Sequence, residues 1–329
     1  METEAIRADL YEIITKYKKE EYPRLIEQRA SYPYLYHLSA IRENLISWLT
    51  VTKEMRVLER NAEYGALTGR LLQMAGQVVS VTEEEAGAEL IRARCQEAGE
   101  RLTVLTERAW VKRRDAAVRP PAPGRGSRTG DTENGFDRIL IVGHTSGYMW
   151  ELKELCAMLR PGGTLVLSDA NRLGLKYLAG CQEEYRGGYF TGVEGYPSDS
   201  VSAGGNSGST DAGKSAAGRY GAVQREGSAD SAGMPRCYTR IEYIRLLSEA
   251  GFTDMRFYYP YPDHKFPSVI YSDDWLPKRG ELKEQRRNFD RDRLLLLDEG
   301  RVYDTLMDEG LFGEFSNSFL IEAKSGRAE

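Results

Sequence analysis

The sequence predicts an α/β protein built on a doubly wound, mostly parallel sheet. Three observations point to it. Val57-Leu58 is a short apolar run that ends on Glu59, and a turn-like segment, Arg60 to Gly65, follows. Ala66, Leu67, Leu71, Leu72, Met74 and Ala75 then recur at helical spacing, Gly76 marks a stop, and Val78–Val81 is a second apolar run. That order is strand, turn, helix, strand. Ile139–Val142 is uninterruptedly apolar, as strands buried on both faces of a parallel sheet are. Pro161-Gly162-Gly163 is a turn that sets off a further strand, Thr164–Ser168. Sheets of this kind bind ligands outside the carboxyl ends of their strands, so candidate residues are sought there.

The remaining elements fall around this frame. Residues 4–30 read as a helix with Ile6, Leu10, Ile13, Ile14 and Tyr17 on one side, ended or interrupted by Pro23. Ser39 is placed to cap a second helix, Ala40–Leu49. Together residues 1–50 are expected to form a helical cap. The core is expected over 51–259: a helix at Ala86–Ala98, a strand at Leu102–Leu105, a helix at Tyr148–Leu159, a helix from Thr239 with Glu242 completing a capping box, and a strand at Met255–Tyr259. Two stretches interrupt it. Residues 112–135 are rich in Arg, Pro and Gly, and 197–235 in Gly, Ser and Ala, so both read as flexible insertions; removal of 200–232 is expected to leave the fold intact. Residues 260–315 are aromatic and charged, do not continue the alternation, and read as a substrate-side insertion. Asn317–Ala323 reads as a closing strand within 316–329.

Composition narrows the function. With 41% hydrophobic and 29% charged residues and a net charge of −5 over 329 residues, the chain suits a globular protein. It lacks the basic excess that nucleic-acid binding needs. No apolar run approaches the roughly 20 residues of a membrane helix, and the amino terminus has no signal-peptide core, so a cytoplasmic location is expected. Cys95, Cys156, Cys181 and Cys237 are scattered, which argues against a disulfide framework or a zinc knuckle. Three dispersed histidines suggest no metal site.

Four stretches carry chemistry. In Glu59–Gly65 a GxGxxG dinucleotide fingerprint is absent; Glu59 is placed either to accept a hydrogen bond from a ligand or to sit in an ordinary turn. Glu83, after the second strand, is placed to grip a ribose diol, while Glu84 and Glu85 equally suit a helix amino terminus. His144, after the fourth strand, is a candidate base near neutral pH, and a structural histidine fits the same position. Asp169, Asn171, Arg172, Lys176 and Tyr177 follow the fifth strand. They read as a cradle for a polar or anionic substrate, or as a capped, charged loop.

At this point the residues resemble those of the class I S-adenosylmethionine (SAM)-dependent methyltransferases. Val57-Leu58-Glu59-Arg60-Asn61-Ala62-Glu63-Tyr64-Gly65-Ala66-Leu67-Thr68-Gly69 is similar to that family's first motif: a strand ending in an acid, a glycine-rich turn and a helix. Phe136-Asp137-Arg138-Ile139 and Leu159-Arg160-Pro161-Gly162-Gly163-Thr164-Leu165 are similar to later landmarks, the last being the most specific. Arg42-Glu43-Asn44, Asn171–Tyr177 and Tyr258–Lys265 resemble a bacterial subgroup associated with cell-surface glycan genes. The resemblance covers about 40–260, with 317–323 as the last, antiparallel strand. It implies a Rossmann-like methyltransferase fold with a seven-stranded sheet, SAM as cofactor, and a small polar or glycan-linked acceptor.

By position the resemblance implies cofactor contacts at Glu59 and Gly65; Thr82 falls where the ribose-binding acid is expected, and Glu83, one step later, is the candidate for that contact. Asn61 and Glu63 stand where the family usually has glycines. A side chain at 63 would crowd the methionine end of SAM and repel its carboxylate, or pair with its ammonium. His144 or Asp169 would serve as base. Two alternatives stay open: a methyltransferase-fold protein that has lost catalysis and acts as a partner or regulator, and another Rossmann-type nucleotide or nucleotide-sugar enzyme.

Overall fold

The computed structural model describes residues 4–118, 135–196, 235–282 and 293–326. Eight strands form one sheet: β1 (Arg56–Arg60), β2 (Gln77–Thr82), β3 (Leu102–Thr106), β4 (Phe136–Val142), β5 (Leu159–Ala170), β6 (Phe252–Tyr261), β7 (Val269–Ser272) and β8 (Ser318–Ser325). Their spatial order is β3-β2-β1-β4-β5-β8-β6-β7. The first five run parallel, and β8 lies antiparallel between β5 and β6. This is the expected Rossmann-like methyltransferase order, extended by β7 at the edge. The chain steps outward from β1 to β3, then restarts on the other side at β4. The order therefore reverses between β1 and β4, and the crevice opens at their carboxyl ends.

Period-two alternation fills both faces. Leu58, Ile139, Ile141, Leu165, Leu167, Phe319 and Ile321 enter one core, and Val57, Leu140, Val142, Val166 and Leu320 enter the other. A third cluster belongs to the amino-terminal cap. It comprises α1 (Glu4–Lys16), α2 (Tyr22–Arg29) and α3 (Tyr32–Leu38). Leu10, Ile13, Leu25, Tyr34 and Leu38 pack with Leu90, which lies on a helix of the sheet layer. The cap thus sits beside the β1–β2 end of the crevice.

The helices of the core are α4 (Thr68–Met74), α5 (Glu85–Arg94), α6 (Glu107–Val118), α7 (Leu152–Met158), α8 (Leu175–Leu178) and α9 (Arg240–Glu249). Two more, α10 (Glu299–Asp308) and α11 (Phe312–Phe315), precede β8.

Several expectations are corrected. The first helix breaks after Lys16, not at Pro23; Pro23 lies in the first turn of α2, where its missing N–H has no partner to lose. The Ala40–Leu49 helix is instead a 3-10 segment, Ala40–Leu45, although Ser39 does cap it. Tyr148–Leu159 divides into a 3-10 turn, Thr145–Glu151, and α7. Helix α6 occupies part of the 112–135 stretch, and 260–315 contains β7, α10 and α11. Beyond α6, the two expected insertions fall almost wholly outside the described residues.

Candidate active site at the carboxyl ends of β1, β2 and β4

The loop after β1 keeps the backbone of a glycine-rich turn with fewer glycines. Asn61, Glu63 and Gly65 all have positive φ, at 53°, 48° and 75°. For a residue with a side chain, the left-handed region costs roughly 1–2 kcal/mol, so the surroundings must hold it. They do so from several sides. Ala62 N donates to Val81 O (2.9 Å), and Thr82 Oγ1 donates to the Glu63 carbonyl (2.8 Å). Arg94 Nε donates to the Tyr64 carbonyl (2.8 Å), and the His37 ring lies 4.5 Å from that of Tyr64. Asn61 Nδ2 donates to the carbonyls of Val142 (2.8 Å) and Gly143 (3.2 Å), tying the loop to the end of β4. At Gly65 an added Cβ would lie 2.9 Å from Ile91 Cγ1, so α5 packs directly on this position.

Glu59 is buried beneath the loop. Its Oε2 accepts hydrogen bonds from Thr68 Oγ1 (2.7 Å) and Ser80 Oγ (2.6 Å). Burial dominates those bonds and raises its carboxyl to about 7. Next to it Arg60, fully buried, bonds Glu107 Oε2 (2.8 Å) and Glu151 Oε2 (2.8 Å), with the Tyr148 ring centroid 4.8 Å from its guanidinium. This triad locks β1 to α6 and to the turn after β4.

The cap closes the loop from outside. Arg42 is 5% exposed, and its guanidinium carbon lies 3.6 Å from the Tyr36 ring centroid. Arg42 NH2 donates to Tyr36 Oη (3.0 Å), Tyr36 Oη to Glu63 Oε1 (3.3 Å), and Arg42 NH1 stands 3.7 Å from Glu63 Oε2. The void enclosed by Arg42, Glu59, Asn61, Glu63 and Val142 is about 10 Å³, room for roughly one water. Drug-sized ligands occupy pockets of about 300–1,000 Å³, so a cofactor enters only if these side chains part.

At the mouth, Glu83 faces solvent just past β2, and crowding and neighbouring Glu84 raise its carboxyl while His144 opposes that shift. Glu83 and His144, distant in sequence, are thus brought within electrostatic reach. His144 has φ 49° and its ring centroid lies 4.6 Å from that of Tyr185.

The residues after β5 are placed differently from their expected cradle. Asp169 is buried, and its Oδ2 accepts from Thr145 N (2.9 Å) and Thr145 Oγ1 (2.8 Å). Its Oδ1 accepts from Ala170 N (2.7 Å) and Tyr185 Oη. Four donors hold it as an anchor for the turn after β4, not as a base facing the crevice. Asn171 is buried and bonds the carbonyls of Glu314 and Ser316. Arg172 pairs with Glu242 at 3.0 Å. Lys176 is buried between Glu184 (3.5 Å) and Asp263 (3.6 Å), with Lys265 bound to the same Glu184 (2.8 Å). Tyr177 is buried with its hydroxyl 3.4 Å from Glu184. These four are engaged in hydrogen bonds and ion pairs within the fold. Their partners lie up to 145 positions away, which is why the local sequence reads as an open cradle.

Arg42, Tyr36 and Arg60 did not figure among the sequence candidates. A charged Arg60 continuing a buried apolar strand was a usable signal; Arg42 was marked only by the resemblance of Arg42-Glu43-Asn44, which gave it no site role. Among the described residues, no group of three or more metal-ligating side chains occurs and no helix is long and apolar enough to cross a membrane.

No family model matches the sequence, and no curated protein matches it. Solved structures overlap it at low identity. A chain from the complex of the Haloferax volcanii Trm112 methyltransferase activator with a methyltransferase is 10% identical, covering 97% of this chain and 98% of its own, with a TM-score of 0.44. A Thermotoga maritima SAM-dependent methyltransferase is 15% identical, covering 96% and 99%, at 0.42. Haemonchus contortus phosphoethanolamine N-methyltransferase 2, solved with SAM, is 11% identical, covering 97% and 60%, at 0.44. The fold class follows from the strand order of the chain itself.

Proposed function

We propose that the crevice at the ends of β1, β2 and β4 is a SAM site and that the protein transfers a methyl group to a small polar or glycan-linked acceptor. The observation that carries this reading is the loop 61–65. It keeps left-handed backbone at three alternate positions, at the point where strand order reverses, between an acid under β1 and an acid past β2. Gly65 allows the close α5 approach, Glu59 bonds Thr68 and Ser80 beneath the loop, and Glu83, one residue past β2, would take a ribose diol. SAM, when bound, supplies a methyl on a sulfonium, so the chain has mainly to align an acceptor and, for a hydroxyl or amine, to take its proton. His144 is the residue placed for that proton, with Tyr185 and Asp169 fixing its turn.

A second reading has its own observation. Asn61 already occupies the Val142 and Gly143 carbonyls and Glu63 already faces Arg42, as in a methyltransferase-fold protein that has lost catalysis and serves as a partner. Incubation with methyl-labelled SAM and fractionated small-molecule and glycan extracts separates the two. Label in a product that disappears with Glu83→Ala supports transfer; no label in any fraction, with no SAM binding, refutes it.

A further inference from the structure

We infer that the groove between the Ala40–Leu45 segment and the β6–β7 edge of the sheet is a second ligand site, which binds a neutral pyranose by ring stacking and hydroxyl contacts. The site does not depend on the SAM reading. Strand β6 lies three places from β4 in the sheet, about 14 Å away at ordinary strand spacing. In a glycan-linked acceptor, a sugar held here is remote from the methylated unit.

The groove has a volume of about 360 Å³, within the range of small-molecule sites. Its floor is a pair of rings. Trp48 is 40% exposed, and its ring centroid lies 4.5 Å from that of Tyr258, with the planes inclined by 57°. Both rings are held from behind. Trp48 Nε1 donates to the Leu45 carbonyl (3.0 Å), and Tyr258 Oη donates to Glu322 Oε2 (3.0 Å). The rim is polar. Asn44 Nδ2 donates to the Pro267 carbonyl (3.0 Å), which leaves Oδ1 to accept. Ser268 Oγ donates to the Tyr261 carbonyl (3.2 Å) and keeps lone pairs for an incoming hydroxyl. Ser272 Oγ accepts from Trp275 N (3.2 Å) and keeps its own hydrogen to donate.

This chemistry selects the occupant. Among the described residues that line the groove none is charged, so an ion would lose hydration and gain no partner. A wholly apolar ligand would leave the serine hydroxyls and the Asn44 amide without water or partners. A proline-rich peptide offers carbonyl acceptors, and the indole N–H of the floor is already given to Leu45. A pyranose has an apolar C–H face for the rings and, around its edge, hydroxyls that both donate and accept.

Saturation-transfer NMR on the full chain tests this with the methyl β-glycosides of glucose, galactose and N-acetylglucosamine, and with sorbitol, which carries hydroxyls but no ring face. At millimolar concentration at least one pyranoside should show transfer, strongest at its ring C–H protons, and sorbitol none. Trp48→Ala should weaken that binding about tenfold through loss of a stacking face, and Trp48→Phe, which keeps a face, should stay within about threefold of the parent. Ser272→Ala removes only a hydroxyl on the outermost strand and should also weaken binding, which keeps the test valid if Trp48→Ala fails to fold. Absence of transfer to all three pyranosides, equal transfer to sorbitol, or unchanged binding in Trp48→Ala overturns the inference. So does a concentration-dependent dimer that Trp48→Ala abolishes, because the groove is then an interface between copies. SAM is left out of every sample, so each of these results leaves the SAM reading standing.

Discussion

Replacing Glu59 by Gln should change how stability depends on pH, and the size of the change follows from its burial. The carboxyl titrates near 7 in the folded protein against an ordinary 4.5. That difference corresponds to about 3 kcal/mol. The folded state keeps the proton longer than the unfolded state, so this contribution is fully present below pH 4.5. It is lost as pH rises toward 7, at about 1.4 kcal/mol per pH step, and stays lost above 7. Gln is neutral at every pH, and its carbonyl accepts from Thr68 and Ser80 as Glu59 Oε2 does. Urea unfolding of both proteins between pH 5 and 8.5 isolates the effect, because all other titrating groups cancel in the difference. The variant should gain on the parent by up to about 3 kcal/mol across that range, with unchanged m-values. Parallel stability curves would refute a buried Glu59 carboxyl that titrates well above 4.5 in the folded protein.

Other substitutions read the rest of the site. Arg60→Met should cost about 3–5 kcal/mol because it strands buried Glu151 and half-buried Glu107; adding Glu107→Gln and Glu151→Gln should recover most of it, and denaturant midpoints would show either. Asp169→Asn presents an amide to donors on Thr145 or Tyr185 and should cost about 1–3 kcal/mol, measured by the same melts. If Asp169 anchors the turn, any transfer activity of that variant keeps the parent's pH profile; a lost basic limb would make it the base. Thr239→Ala removes the hydroxyl that accepts from Glu242 N, one half of the capping box with Glu242, and should lower stability by about 1 kcal/mol without altering ligand binding.

Much of the frame was legible because apolar runs in a parallel sheet are buried on both faces. Val57-Leu58, Val78–Val81, Ile139–Val142 and Thr164–Ser168 all fall inside observed strands. The region 260–315 was not legible. Strand β7 has only four residues, and the apolar stripe of α10, Val302, Tyr303, Leu306 and Met307, spans little more than one turn of a ten-residue helix. Glu59, Asn61, Glu63, Gly65, Glu83 and His144 lie at the carboxyl ends of β1, β2 and β4, because the strands deliver them there. Asn171, Arg172, Lys176 and Tyr177 do not. Their charges are neutralised by Glu184, Glu242 and Asp263 and their amides by the Glu314–Asn317 backbone, pairings that only the fold creates. Arg42 was missed for the same reason: its role depends on α3 laying Tyr36 beside Glu63.

The most direct test of the central claim is a thermal-shift titration of the whole chain with SAM and S-adenosylhomocysteine. A ligand at 100 times its dissociation constant stabilises the native state by about 2.7 kcal/mol, a shift of several degrees. A SAM site in the crevice gives a saturable rise with both ligands, showing that Asn61, Glu63 and Arg42 part to admit them. No shift with either at millimolar concentration would contradict it, and the loop would then be a slot closed by its own side chains.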